Sequence, residues 1–249
     1  MEDSPSGSIR LYARNSKADI WFMSQQIYLK KNEWTPLSLS IPENLKVLID
    51  EVGFVFEFEG NEDLTCFLDN IYFSGKPRYI IDFSYCEEEY WNSRHIEIEQ
   101  FTRLKGITYL KEGFLHLSCH DFAEMYTGHL NWDDYSATFF MTPCLGDDHY
   151  VNFRVQGAIR SYAVGFSKGK LNLMKNENGY RILLQKEYEW NVGTEYIITT
   201  TVKGNTIAIF VNGKEEFNYI DEINPYLNGG IGLSVRNGSH CSYMAISVE

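Results

Sequence analysis

Cysteine is scarce and scattered in this 249-residue sequence: five occur, at Cys66, Cys86, Cys119, Cys144 and Cys241, and no two form a C-x-x-C pair. That spacing excludes zinc-ribbon and thioredoxin-type motifs. Isolated thiols in apolar runs such as LTCFLD read as small buried hydrophobes, so the expected setting is reducing and cytoplasmic. Positive charge is also short. Lys plus Arg number 22 against 34 Asp plus Glu, a net charge of −12. A phosphate backbone needs a concentrated basic surface, so nucleic acid is excluded as a partner and anionic membrane surfaces are disfavoured. No run approaches the ~18 apolar residues of a membrane-spanning helix. The opening MEDSPSGSIRLYARN has no apolar core of a secretory leader. Neither a G-x-S-x-G elbow nor a phosphate-binding Gly loop occurs. Long amphipathic helices are missing too. The best candidate, PENLKVLIDEVG at 42–53, reads as a short helix or an extended loop.

What is present has a period of two. SIRLYA, DIWFMS, GFVFEFEG, FLHLSC, YSATFFMT, YIITTTV, TIAIFV and GIGLSV are short, aromatic and β-branched. Turn signals separate such runs, among them Lys168-Gly169, Asn178-Gly179, Gly204-Asn205, Asn212-Gly213 and Asn237-Gly238. The pattern predicts an all-β chain of packed sheets. A boundary near Ser74-Gly75-Lys76-Pro77 divides it into 1–76 and 77–249, each a β-sandwich or part of one. The first is small for a sandwich, which takes ~100 residues, and is expected to be the less stable.

From about Trp132 onward the sequence resembles laminin-G/concanavalin A-like jelly rolls. The carrying residues are NFRVQGAIRSYAVGF, the hairpin SKGKLNLMKNENGYRILLQ, then WNVGTEYIITTTVKGNTIAIFVNGKEEFNYID and GGIGLSVRNGSHCSYMAISV. The segment WTPLSLSIPENLKVLIDEVGFVFEFEGNEDLTCFLDNIYFSG resembles the second half of a galactose-binding-like jelly roll, with LDNI on its closing strand. The tandem order, with EYWNSRHIEI and NWDDYSATFFMTP between, resembles the C-terminal region of some bacterial ADP-ribosylglycohydrolase-family proteins. That resemblance implies an accessory region beside a helical parent catalytic domain. It carries over no metal ligands, because Asp133-Asp134 and Asp147-Asp148 sit in hairpin contexts.

Candidate site residues follow from strand parity. Val151, Phe153 and Val155 take one face, and Asn152, Arg154 and Gln156 the other. Arg154, Gln156, Arg160 and Tyr162 would then form a binding row, with planar guanidinium and amide groups suited to sugar hydroxyls. Tyr162 joins that row only if a bulge resets the register, since its own parity points to the core. The competing reading is a wet sheet face. Trp91 is the candidate stacking ring, whereas Trp132 reads as a corner and Trp21, Trp34 and Trp190 as packing. Asp69, beside Asn70, is a candidate for structural calcium. Glu97 and Glu99 in HIEIEQ imitate the E-x-E pair of jelly-roll glycosidases. His116 and His120 stand ~13 Å apart on a strand, too far to share a metal. The expectation is a non-catalytic module for a carbohydrate or ribose-containing ligand. The alternatives are a structural module without a sugar ligand and a glycosidase using Glu97 and Glu99.

Overall fold

The structure, a computed structural model, describes residues 7–42, 49–58, 65–90 and 98–249. The chain divides into two compact units, Met1–Tyr72 and Phe73–Glu249.

In the first unit β1 (Gly7–Asn15) is central. It pairs along one side with β4 (Glu51–Phe58) and along the other with β2 (Ile20–Met23) and β3 (Ile27–Tyr28), all antiparallel. Glu51 ties the strands together: Tyr12 Oη and Arg14 Nη2 each donate to it at 2.6 Å. The helix expected at 42–53 falls largely on residues outside those described, and its last three residues are strand. The closing strand expected around LDNI is not formed. Residues 65–74 pair with no strand among those described, and a strand exists only as part of a ladder. Phe67, Leu68 and Tyr72 there are exposed, as is Cys66, which reads in sequence as a buried thiol.

The second unit is a two-layer sandwich. It begins with β5 (Tyr79–Asp82) and a 3-10 turn at Phe83–Tyr85. Next come β6 (Thr102–Lys105), β7 (Ile107–Lys111), β8 (Phe114–Ser118) and β9 (Phe122–Thr127). The middle holds β10 (Tyr135–Leu145), β11 (Asp148–Gly157), β12 (Arg160–Ser167), β13 (Lys170–Glu177) and β14 (Tyr180–Glu187). It ends with β15 (Tyr196–Lys203), β16 (Thr206–Val211), β17 (Lys214–Ile220), β18 (Gly230–Arg236) and β19 (His240–Val248). One sheet runs β17-β16-β15-β10-β19-β8-β7 with β5 also on β19; the other runs β14-β13-β12-β11-β18-β9-β6. Hairpins make most of the sequential connections. Asn212 and Gly213, with φ of 51° and 79°, close the β16–β17 turn in the left-handed geometry that matches strand twist.

Alternation sends Phe139, Ile198, Ile209 and Ile246 of the eight-stranded sheet inward against Val151, Phe153, Val164, Phe166 and Leu233 of the seven-stranded one. Each fully buried side chain of this size contributes roughly 1.5–3 kcal/mol. A charged cluster is also buried in this unit. Lys175 Nζ donates to Asp221 Oδ2, Ile223 O and Asn224 O, each at 2.8 Å. Tyr162 Oη donates to the same carboxylate at 2.6 Å. All three ammonium protons are therefore used, the condition under which a buried ion pair is tolerated.

Candidate functional site

The structure rearranges the row expected on β11 and β12. The register slips between Phe153 and Val155, and Arg154 takes a φ of 50°. Tyr135 Oη holds this bulge by accepting the Arg154 N–H at 2.7 Å and donating to Gly230 O at 3.0 Å. Arg154 is 0% exposed, its guanidinium donating to Tyr226 O at 2.9 Å and to Asp134 at 3.3 Å. Tyr162 is 1% exposed and committed to Asp221. Simple alternation fails at Arg154 because one extra residue reverses parity, whereas Tyr162 is buried as its own parity predicts, so neither side chain is a surface contact. Gln156 and Arg160 do reach the surface of the β11–β12 hairpin and bond each other at 3.1 Å. Gln156 also donates to Asn228, and Arg160 lies over the Tyr226 ring.

The other sequence candidates do not converge. Trp91 and Glu97 lie outside the described residues. Glu99 is exposed in a turn closed by Phe101 N–H to Ile98 O at 3.0 Å, so it stands on no strand. Asp69 is exposed and accepts the Asn70 N–H at 2.8 Å, a local turn contact. Trp132 packs on Tyr79 and Tyr135, and Trp190 on Phe166 and His149. Trp34, read as packing, is 73% exposed, because its segment belongs to no strand.

A polar and aromatic surface that alternation alone does not single out lies on the outer face of the seven-stranded sheet. Register aligns Glu124, Ser234, Tyr150 and Gly165 in one row, and Gly232, Asn152, Ala163 and Met174 in the next. The small residues are required: a Cβ on Gly165 would stand 2.0 Å from the His149 carbonyl oxygen. Over them Tyr180 reaches in from β14. Its hydroxyl accepts from Asn152 Nδ2 at 2.8 Å, donates to Glu124 Oε2 at 3.3 Å and lies 3.3 Å from Ser161 Oγ. Ser234 Oγ donates to Asn152 Oδ1 at 2.8 Å. The Arg236 guanidinium lies 3.8 Å over the Tyr180 ring and 5.6 Å over Tyr150, a cation–π arrangement. Glu124 is only 5% exposed, and its Oε1 has no hydrogen-bond partner. Burial pushes its carboxyl up to about 7, against the opposing pull of Arg236 and the Tyr180 hydroxyl. A shallow depression of about 270 Å³, lined by residues 103–108, follows the neighbouring strand β6, where Lys105 stands opposite Glu124.

A second cluster lies on the other sheet. His116 Nδ1 stands 3.0 Å from His240 Nε2, with Cys144 alongside on β10. His120, which spacing sets too far from His116 to share a metal, is exposed on the loop after β8 and takes no part in the cluster. Pairing of β8 with β19, not spacing along one strand, brings the two imidazoles together.

No family model matches the sequence, and no curated protein matches it. Solved structures do share its fold. A carbohydrate binding module from Bacillus subtilis is similar at a TM-score of 0.53 and 15% identity, over 59% of this chain and 94% of that one. A glycosidic hydrolase is similar at a TM-score of 0.54 and 10% identity, over 72% of this chain and 98% of its own. A sialidase aligns at a TM-score of 0.50 and 11% identity, with 69% of this chain matching 18% of that enzyme. Nothing in these likenesses links the chain to the ADP-ribosylglycohydrolase family. They identify its architecture as the all-β jelly-roll sandwich found in carbohydrate-binding and glycosidase domains.

Proposed function

We propose that the second unit recognises carbohydrate on the outer face of its seven-stranded sheet, without catalysis. The observation that carries this reading is Glu124, a buried carboxylate with one unpartnered oxygen beneath a Tyr180–Arg236 pair. Buried acceptors are costly unless something donates to them. A sugar hydroxyl is chemically equivalent to the Tyr180 hydroxyl that now donates to Oε2. Displacing Tyr180 outward exchanges one donor for another and opens Oε1 to a second hydroxyl. Arg236 then donates to ring or hydroxyl oxygens, while the partly exposed Tyr180 offers an aromatic face to the sugar C–H groups. The affinity is weak, because a shallow face that must first displace Tyr180 buries little net area.

The fold shared with a carbohydrate binding module supports this reading. The parent context, an accessory region of an ADP-ribosylglycohydrolase-family enzyme, rests on the tandem sequence resemblance alone. The test of that context is the coding region upstream: a helical, acid-rich domain there would support it, and its absence would refute it. The scattered, odd-numbered cysteines support a reducing compartment as the setting.

The test is a glycan array followed by calorimetry on the leading sugar. Above pH 7, where its carboxyl is ionised, Glu124→Gln keeps the side-chain shape and is expected to weaken binding at least about tenfold, the loss of a charge-assisted hydrogen bond. Unchanged binding in that variant, with loss in Gln156→Ala/Arg160→Ala, moves the ligand to the β11–β12 hairpin. Release of reducing ends that disappears in Glu124→Gln makes the unit a hydrolase, with Glu124 as its acid. A chain that binds no glycan refutes the reading.

A further inference from the structure

We propose that His116, Cys144 and His240 form a binding site for a zinc-class metal ion on the outer face of the eight-stranded sheet. The three residues come from adjacent strands, β8, β10 and β19. The register places His116 opposite Ser242 and His240 opposite Leu145. A shift between Pro143 and Leu145 makes Cys144 the extra residue of a bulge, the device by which strands re-aim a side chain. One donor atom from each residue lies within 4.8 Å of the other two, and the facing ring nitrogens are 3.0 Å apart. Tyr109 stacks on the His116 ring at 4.6 Å and 10°, which fixes the plane of that imidazole. Small side-chain rotations bring two nitrogens to ~2.0–2.1 Å and one sulfur to ~2.3 Å from a common centre.

The chemistry of the donors selects the ion. Two imidazoles and a thiolate suit borderline and soft metals, whereas calcium and magnesium require oxygen ligands. Among the described residues no fourth ligand of this kind joins the cluster, so a tetrahedral ion keeps one position for water or an outside ligand. All three residues are half-buried, so that position faces solvent. Cys144 Sγ now contacts Thr142 O at 3.3 Å and Ser242 Oγ at 3.4 Å. On metal binding its thiol proton passes to solvent and the sulfur becomes a thiolate ligand. A bare histidine–histidine hydrogen bond explains two of the residues and leaves Cys144 bonded only to its own strand and to Ser242, so the behaviour of the thiol decides between the two accounts.

The experiment uses the full chain, stripped with chelator and titrated with Co²⁺, then with Zn²⁺ in competition. The expected result is one ion per chain, with a thiolate-to-cobalt charge-transfer band displaced by zinc. Cys144→Ser abolishes that band and weakens zinc binding at least about tenfold. His240→Ala weakens it similarly, and His120→Ala changes nothing. Absence of stoichiometric binding, or a charge-transfer band that survives Cys144→Ser, overturns the site. Should Cys144→Ser not fold, alkylation of the wild-type chain mapped by mass spectrometry replaces it. Zinc protection of Cys144 supports the site, and equal labelling with and without zinc refutes it.

Discussion

The two units use the same strand vocabulary and differ in what their strands pack against. GFVFEFEG in the first unit is as aromatic as YSATFFMT in the second. Yet Phe56 and Phe58 lie exposed on a single sheet, whereas Phe139, Phe153 and Phe166 are sealed between two. Alternation makes a strand; a second layer makes a core. Glu51, Tyr12 and Arg14 hold the first sheet through contacts at its edge of the solvent, and such pairs contribute little where water screens them.

The largest expected effect tests that contrast directly. Phe166 packs against Tyr188, Trp190 and Tyr196 with no exposure, so Phe166→Ala costs about 3–5 kcal/mol in urea unfolding. Phe56→Ala in the first unit costs less than about 1 kcal/mol, followed by hydrogen exchange of the β1 and β4 amides. Equal costs would break the comparison.

A similar loss follows from the buried ion pair. Asp221→Ala removes the buried carboxylate nearest the Lys175 ammonium, leaving only the partly exposed Glu177 at 3.5 Å, and destabilises by about 3–5 kcal/mol, part of which Lys175→Met restores in the double variant. Burial raises the Asp221 carboxyl, but the Lys175 and Tyr162 hydrogen bonds outweigh it and hold the group below the usual range. The folded state thus binds this proton less readily than the unfolded chain. Its contribution is complete above the ordinary carboxylate range and is lost as pH falls through the depressed value.

Glu124 runs the other way, with a smaller effect. Its folded value of about 7 stands above the ordinary 4.5, so the native state retains a proton that the unfolded chain releases. Stability therefore declines as pH rises between those values. Glu124→Gln flattens the decline and leaves the variant about 1–3 kcal/mol more stable at pH 8. A wild-type stability curve flat across that window would show that the outer face is wetter than its geometry indicates.

The strands were legible because their signal is local. All eight alternating runs fall on strands, and Asn212-Gly213 turns where its backbone preference requires. The sites were not, because they depend on register. Arg154 shares parity with Asn152 in the sequence, but a bulge held by Tyr135, nineteen positions upstream, folds it inward. Glu124 and Tyr180 meet across 56 positions, and His116 and His240 across 124. No spacing rule along one strand reports such pairs. A weak trace existed in FAEMYT, where a lone acid interrupts an otherwise apolar strand.

The two-layer build has one last consequence. The Glu124 surface and the His116 surface look away from each other across an apolar slab ~10 Å thick. Occupants of the two sides never touch, yet both bind only the folded chain. Each therefore raises the melting temperature independently, and their increments add. A departure from additivity would reveal communication transmitted through the slab itself.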